Sequence, residues 1–514
     1  MSNNMNLPSF PKEKFQFAHK NERIHDVKFE TKPISYFKDA WMRFRRNGSA
    51  VVAAILIVLL LLFAIIVPFV SHFTVTFRDG YYRNVLPKNP FFERFGIWDG
   101  VKTQREPQAG YDYYNAIGVE TGRKVVHDVR DKTVDANGIT YYSMDVDSYA
   151  KVGYVYVNFS AEQFRSLQDY QDETGIQVIY PLQESHRTNY VVGNMGANLW
   201  YKLQDPRSTS DGRALLDENG NYIPNYLLSG NQQQADYTSL RIAGDDGGAD
   251  GGGWYVYGQR NQSGYKARVD YYEYFKYVNG VDPVFLFGTN TFGQDIFTCL
   301  AAGARLSFLL AITVSFINFF IGSAYGAIEG YYGGTTDIVM ERISDILASV
   351  PFIVVATLFQ MHLASKVGVL VSLLFAFVMF GWVGMAARVR MQFYRFKGQE
   401  YVLAARTLGA RDRRIILKHI FPNAIGTIIT GSILAIPGVI FTESMLSYLN
   451  IINLETSSLT SIGTMLANGQ GYLSTFPHII LFPALFISVL EISFNLFGNG
   501  LRDAFNPSLR GADE

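Results

Sequence analysis

The chain has 514 residues, with 45 basic and 45 acidic side chains and therefore no net charge. That balance excludes a general polyanion binder, whose basic excess would be large, and the single cysteine, Cys299, excludes an internal disulfide framework or a cysteine-built zinc site. Hydrophobic residues are 48% of the total, but they are gathered in blocks separated by one long polar region, the pattern of a membrane protein with a large insertion.

The first block, 50–70, has 21 consecutive positions without a charge. At about 1.5 Å rise per residue it crosses the ~30 Å hydrocarbon core. A secretory signal is shorter, lies near the N-terminus and ends at a small-residue cleavage site. Here about fifty residues precede the block and no A-x-A follows, so 49–71 is expected to remain as a helix after an N-terminal segment, 1–48. Further uncharged blocks are found at 306–328, 346–365, 367–387, 420–442 and 477–501, the last interrupted only toward its C-terminal half by Glu491. Six spans put both termini on one side.

Charge chooses the side. Residues 1–70 carry ten Lys/Arg against five Asp/Glu, with Arg43, Arg45 and Arg46 just before the first span. The loop 388–419 carries nine against two. The positive-inside rule puts both in the cytosol. Residues 71–300 are net −7 (21 basic, 28 acidic), and the polar region at 72–284 is then extracellular.

That region is far longer than a connecting loop. It is rich in tyrosine, with short β-branched runs at 153–159 and 176–182 and turn clusters at 135–138, 217–221 and 245–253. One helix is predicted from Ser160 as N-cap to Gly175 as stop. The expectation is an α+β domain whose aromatics fill a core built without disulfides, rather than stack on a ligand. His127 and His186 are isolated, and no paired-carboxylate or Ser/His/Asp spacing supports a hydrolase.

The loop 399–422 carries the mechanism. The sequence predicts one helix from Gln399 to Leu408, a turn at Gly409, a second helix from Arg411 to Ile420, and a span restarting near Pro422. Small Ala404 and Ala405 would let another protein's backbone approach. A short exposed helix of this kind suits docking into a groove on a soluble partner; the plainer alternative is a basic loop held at the headgroup layer.

The whole string resembles the cytoplasmic loop of permease subunits of ABC importers, EAA-x3-G-x9-I-x-L-P, here Leu403-Ala404-Ala405, three residues to Gly409, then an offset Ile420-Phe421-Pro422. Three further stretches, 286–310, 330–354 and 494–510, resemble the C-type permease of the oligopeptide/dipeptide importers, loosely over 1–80 and closely over 284–510. The chain departs from that pattern at Leu403, where the family has an acid that Glu400 replaces in part, and at Ser461-Ile462-Gly463, where it has Ser-Trp-Gly. Most members also lack the insertion.

The resemblance implies an α-helical polytopic membrane protein of six transmembrane helices with the type I ABC importer permease fold, whose five-helix core is 285–510. It implies ATPase coupling through Glu400, Tyr401, Ala404, Ala405, Thr407, Leu408, Gly409, Ala410 and Arg411. The implied partners are a second homologous permease, two cytosolic ATP-binding subunits and a lipid-anchored extracellular peptide-binding protein, in the membrane lipid of a Gram-positive-like bacterium and with no nucleic acid. No Walker A string is present, so no cofactor is expected on this chain, and ATP and Mg belong to the partners.

Four other polar residues are candidates for a gate or cavity: Asp295 and Arg305 as an ion pair flanking the second span, and Glu443 and Glu491, which are costly within apolar spans unless they face protein or water. Asp337, Glu341, Arg342 and Asp345 read either as a solvated stretch or as packing between permeases. His362 reads as a bundle residue. The rival readings are a dipeptide or nickel importer of the same family, a membrane-anchored receptor or cell-wall protein acting through the insertion, and an ion-driven carrier.

Overall fold

The computed structural model describes residues 36–180, 183–184, 255–256, 258–261, 264–455 and 459–505. The turn clusters at 217–221 and 245–253, together with His186, lie outside them.

Helix α1 (Tyr36–Arg46) leads into α2 (Gly48–Val70), whose start is capped by the Asn47 side chain accepting the Ala50 N–H. Along α2 only Ala50, Ala53, Ile57 and Ala64 are buried. These positions form one face, packed against the later spans with Leu60 and Leu61 half-buried beside it, while Ile55, Leu56, Leu59, Leu62, Ile65 and Ile66 point outward. A helix apolar all round, with one small-residue seam, is a membrane span at the edge of a bundle.

The insertion is α+β. Strands β1 (Val101–Pro107), β2 (Val126–Val134) and β3 (Thr140–Asp147) make an antiparallel sheet in the order β1-β3-β2, with α3 (Gln108–Thr121) between β1 and β2 in the chain. The β2–β3 connection is the predicted turn at 135–138, with Gly138 at φ +77°. A second sheet has β4 (Tyr154–Phe159), β5 (Ile179–Tyr180), β8 (Gly258–Asn261) and β9 (Gly264–Asp270), with β9 central; β6 (Gln183–Glu184) pairs β7 (Tyr255–Val256). Helix α4 (Ala161–Thr174) has the predicted Ser160 cap and ends at Gly175 in the left-handed region. Sequence reasoning missed α3 and α5 (Tyr271–Asn279).

The domain's aromatics do fill a core. Tyr82, Tyr149, Tyr271, Phe159, Phe164 and Phe275 form one buried cluster. Phe73 and Val85, from the connection after α2, and Phe285, from the approach to the next span, belong to the same cluster. The Tyr271 hydroxyl donates to the Asp79 carboxylate at 2.5 Å. The domain is thus knitted to both strands of chain that enter the membrane.

Helix α6 (Ile296–Tyr332) begins ten residues before the predicted span. Next come α7 (Gly334–Ala348) and α8 (Phe352–His362), bent by 69° across Pro351. The expected span at 346–365 is therefore a broken pair, because a proline at the junction removes a helix hydrogen bond and disfavours helix before it. Helix α9 (Ala364–Val367) precedes α10 (Val369–Lys397), followed by α11 (Glu400–Thr407), α12 (Asp412–Arg414), α13 (Phe421–Ile433), α14 (Ala435–Tyr448), α15 (Ile462–Gly469) and α16 (His478–Phe505). Among the described residues, five helical stretches are long and apolar enough to cross a membrane, or up to six with the bent pair counted as one.

A glycine seam brings α6 and α10 together. A Cβ on Gly322 would meet Met385, one on Gly326 the Ala386 carbonyl, and one on Gly330 Phe393 and the Arg390 carbonyl. Glycines four apart on one face let two backbones touch, the usual route to close helix packing in lipid.

Candidate functional site: the loop element and the ends of the spans

Helix α11 stands on the side opposite the insertion. Val402 is fully buried and Ala405 nearly so. Val402 packs in a cluster with Tyr331 of α6, Val389 and Phe393 of α10, and Ile415, Ile420 and Ala424 beyond the turn. Residues three apart share a helix face, so this face is committed to the chain itself. Ala405, expected to admit a partner's backbone, is 9% exposed on this face. The opposite face holds Leu403 (47% exposed), Ala404, Thr407 and Leu408 (88% exposed). Glu400 and Arg411 are also exposed, and Ala410 is half-buried.

The element is rigid by construction. Gly409 ends it at φ +78°, a conformation that costs other residues about 1–2 kcal/mol, and the Ala410 N–H reaches back to the Ala405 carbonyl at 3.0 Å. Tyr331 of α6 donates to Asp412 at 2.6 Å, and the Arg406 guanidinium lies 5.7 Å from the Tyr331 ring centre. Asn423 donates to the Tyr401 hydroxyl at 3.3 Å; burial pushes that phenol above its ordinary value, so it stays neutral.

Beyond the turn there is no fresh start at Pro422. Asp412–Tyr448 is one 37-residue helical stretch, and Ile415–Ile420 is a π-turn in which the Phe421 N–H bonds the Ile416 carbonyl five residues back. The extra residue absorbs the proline without breaking the rod. Across the Gly409 turn, α11 is packed on the base of this stretch through the cluster that Val402 shares with Ile415 and Ile420.

Beside this element sits an ion cluster that sequence reasoning missed. Arg390 of α10 bonds Asp337 through Nε and Nη2 at 2.6 and 2.8 Å, and Glu341 at 2.9 Å. Glu329 of α6 is 3.4 Å from the guanidinium, Tyr394 donates to Asp337 at 2.7 Å, and Lys397 donates to the Gly330 carbonyl at 2.9 Å. Asp337 and Glu341 are one turn apart on α7 and turn together toward α10. The i, i+4 spacing of the acids was visible; their partner, about fifty residues on, was not. Arg342 instead pairs with Asp345 at the surface, 3.3 Å away.

The four gate or cavity candidates fall apart. Asp295 and Arg305 form no ion pair: ten residues of helix separate them by about 15 Å. The Asp295 carboxylate caps α6, accepting from the Phe297 and Thr298 N–H groups and the Thr298 hydroxyl, and Arg305 lies over the Phe69 ring. Glu443 is 1% exposed and accepts from Ser307 of α6 at 3.0 Å and Ser447 at 3.1 Å. Beside it Ser461 caps α15 and a Cβ on Gly463 would strike Ser444. Glu443 is thus a buried tie between α6 and α14. Glu491 has one oxygen buried without a partner among the described residues. None of the four lines a cavity of about 560 Å³ flanked by Arg78, Arg83 and Tyr472, or one of about 330 Å³ flanked by Arg388, Arg395 and Arg502.

The family described as binding-protein-dependent transport system inner membrane component matches residues 319–511, and the N-terminal TM domain of oligopeptide transport permease C matches 35–87. The oligopeptide transport system permease protein OppC of Bacillus subtilis (strain 168) is 42% identical over 44% of this chain and 72% of its own length. The dipeptide transport system permease protein DppC of Lactococcus lactis subsp. cremoris (strain MG1363) is 38% identical over 43% of this chain and 64% of its own length. Among solved structures, the inward-facing MetNI methionine ABC transporter matches 40% of this chain and 96% of its own chain, at 15% identity and a TM-score of 0.34. The chain belongs to the family of binding-protein-dependent transport system inner membrane components.

Proposed function

We propose that the chain is the C-type permease subunit of an ATP-driven oligopeptide importer and that α11 is its contact with the ATPases. The observation that carries this reading is the two-faced character of α11. Val402 packs it against α6 and α10 and Ala405 is buried on the same face, while Leu403, Ala404 and Leu408 remain exposed on a helix too short to need an apolar outer face for its own folding. An exposed apolar patch on a rigid stub marks a docking surface. The ATP-binding subunits hold ATP and Mg; this chain converts their closure into a tilt of Asp412–Tyr448, because α11 is tied to the base of that stretch by the Ala410 N–H bond to the Ala405 carbonyl and by the buried cluster Val402 shares with Ile415 and Ile420.

In this reading the loop side and both termini are cytosolic, the insertion is extracellular, and a second homologous permease completes the path. A lipid-anchored peptide-binding protein delivers substrate from outside. Dipeptides are the second reading, since some relatives carry that name. Purification of the tagged full chain in mild detergent, with mass spectrometry of its companions, tests the assembly. A second multi-span protein and one or two chains with G-x4-G-K-[S/T] support it; a lone chain or a homodimer after crosslinking contradicts it. Peptide-stimulated ATP hydrolysis by the assembly, with tri- to pentapeptides against dipeptides, separates the two substrates.

A further inference from the structure

Residues 91–98, Phe-Phe-Glu-Arg-Phe-Gly-Ile-Trp, lie outside both stretches matched to the family. They present Phe91 (65% exposed), Phe95 (69%) and Ile97 (57%), with Phe92 and Trp98 at 38%. The rings form one cluster: Phe91–Phe92 are 5.2 Å apart, Phe91–Phe95 6.0 Å and Phe92–Trp98 5.5 Å. A turn at Glu93–Phe95 and left-handed backbone at Gly96 and Trp98 fold the segment back on itself. Trp98 at φ +53° is a strained choice for a bulky residue, held by the packing described next.

The cluster runs on into the spans without a gap. Trp98 meets Phe287 at 6.2 Å and Phe482 of α16 at 5.9 Å; Phe287 stacks on Phe482 at 4.1 Å and meets Phe297 of α6 at 5.1 Å, which meets Phe63 of α2 at 5.3 Å. Phe482 is four residues, about 6 Å, inside the start of α16, and Phe63 is about 10 Å from the end of α2. Trp98 therefore sits level with the first turn of the spans. Phe69 and Val70, which close α2, are likewise 77% and 72% exposed. Charge is sparse: Glu93 is within 3.6 Å of Lys88, and Arg94 has a stem long enough to reach the headgroups.

We infer that 91–98 is an interfacial membrane anchor, its rings seated at the headgroup–acyl boundary of the leaflet on the insertion's side. Phe and Trp are the side chains suited to that boundary, and the same rings in water form an apolar patch of the kind soluble surfaces avoid. The anchor fixes the height of the inserted domain above the bilayer through Trp98 and through Lys102, whose ammonium donates to the Thr475 carbonyl at 3.1 Å before α16.

The test uses the whole chain with its co-purifying subunits in phosphatidylcholine/phosphatidylglycerol nanodiscs. Cys299, the lone cysteine and 2% exposed, is removed as Cys299→Ala, and a nitroxide is attached at Phe95→Cys, at Ile97→Cys in a second protein, and at Val134→Cys as the water-facing reference. The anchor predicts severalfold lower collision with nickel-EDDA at 95 and 97 than at 134, together with higher collision with oxygen. Nickel collision equal to that at 134 overturns it by showing an aqueous segment. Low collision with both reagents overturns it by showing a protein partner in place of lipid. Two labelled sites keep the test decisive should either substitution prevent folding.

Discussion

The two ends of α6 are held by opposite chemistry. At the insertion end the ties are buried and uncharged or hydroxyl-satisfied: Asp295 is spent on the helix cap, Ser307 reaches Glu443, and a Cβ on Gly303 would press on Ser461. At the loop end they are ionic and partly wet, with Arg390 among Glu329, Asp337 and Glu341 and its side chain 23% exposed. A dry, fully satisfied knot is costly to open and holds one arrangement. An ion cluster at the water boundary can exchange partners or water at modest cost, which suits the end where force enters. In the proposed transport cycle the insertion end serves as the frame and the loop end as the moving part.

The largest loss should follow Arg390→Met, which strands three carboxylates. Removing one partner of a buried pair costs about 3–5 kcal/mol, and partial exposure brings this toward ~2; a lower thermal midpoint by fluorescence-detected size exclusion checks it, with Arg390→Lys recovering only part. An unchanged midpoint would mean that the cluster does not hold α7 to α10. Gly326→Leu should cost about 1–3 kcal/mol by forcing α6 off α10, read as reduced yield of monodisperse protein. Glu443→Ala should cost about 1–3 kcal/mol by leaving serine hydroxyls unpaired, and Glu443→Gln, which keeps an acceptor, distinctly less. Equal effects from the two would remove hydrogen bonding as the reason for the residue.

Gly409→Val should cost about 1–2 kcal/mol in the left-handed turn yet abolish uptake, because it misdirects α11. Leu408→Ser, at a nearly fully exposed site, should leave stability within about 0.5 kcal/mol while weakening ATPase retention. A variant with normal retention and uptake would take Leu408 out of the contact.

Much of the fold was legible because bilayers impose a simple rule, a run of uncharged residues for each span. The Ser160 cap and Gly175 stop gave α4 in full, and Gly409 marked the turn. The broken α7–α8 pair was less legible, since hydropathy reads the block 346–365 as continuous and cannot see a 69° bend. Helix α5 was hidden by its tyrosines, which carry strand propensity but are fixed here by the Asp270 cap and the aromatic core. In the loop, position told which residues form the stub but not which face is free, since the burial of Val402 depends on Tyr331, Phe393 and Ile415 elsewhere in the chain. The Arg390 cluster joins residues about fifty apart, beyond any local spacing argument.

The most direct measurement is a photocrosslinker placed at Leu408 in the full chain and irradiated in membranes, with the product identified by mass spectrometry. The expected product is a crosslink to a protein bearing a Walker A sequence, weakened when Gly409 is replaced by valine, while the same probe at buried Val402 gives none. Adducts only to lipid, or equal products from positions 402 and 408, would contradict the claim that the free face of α11 is where the ATPases act on this chain.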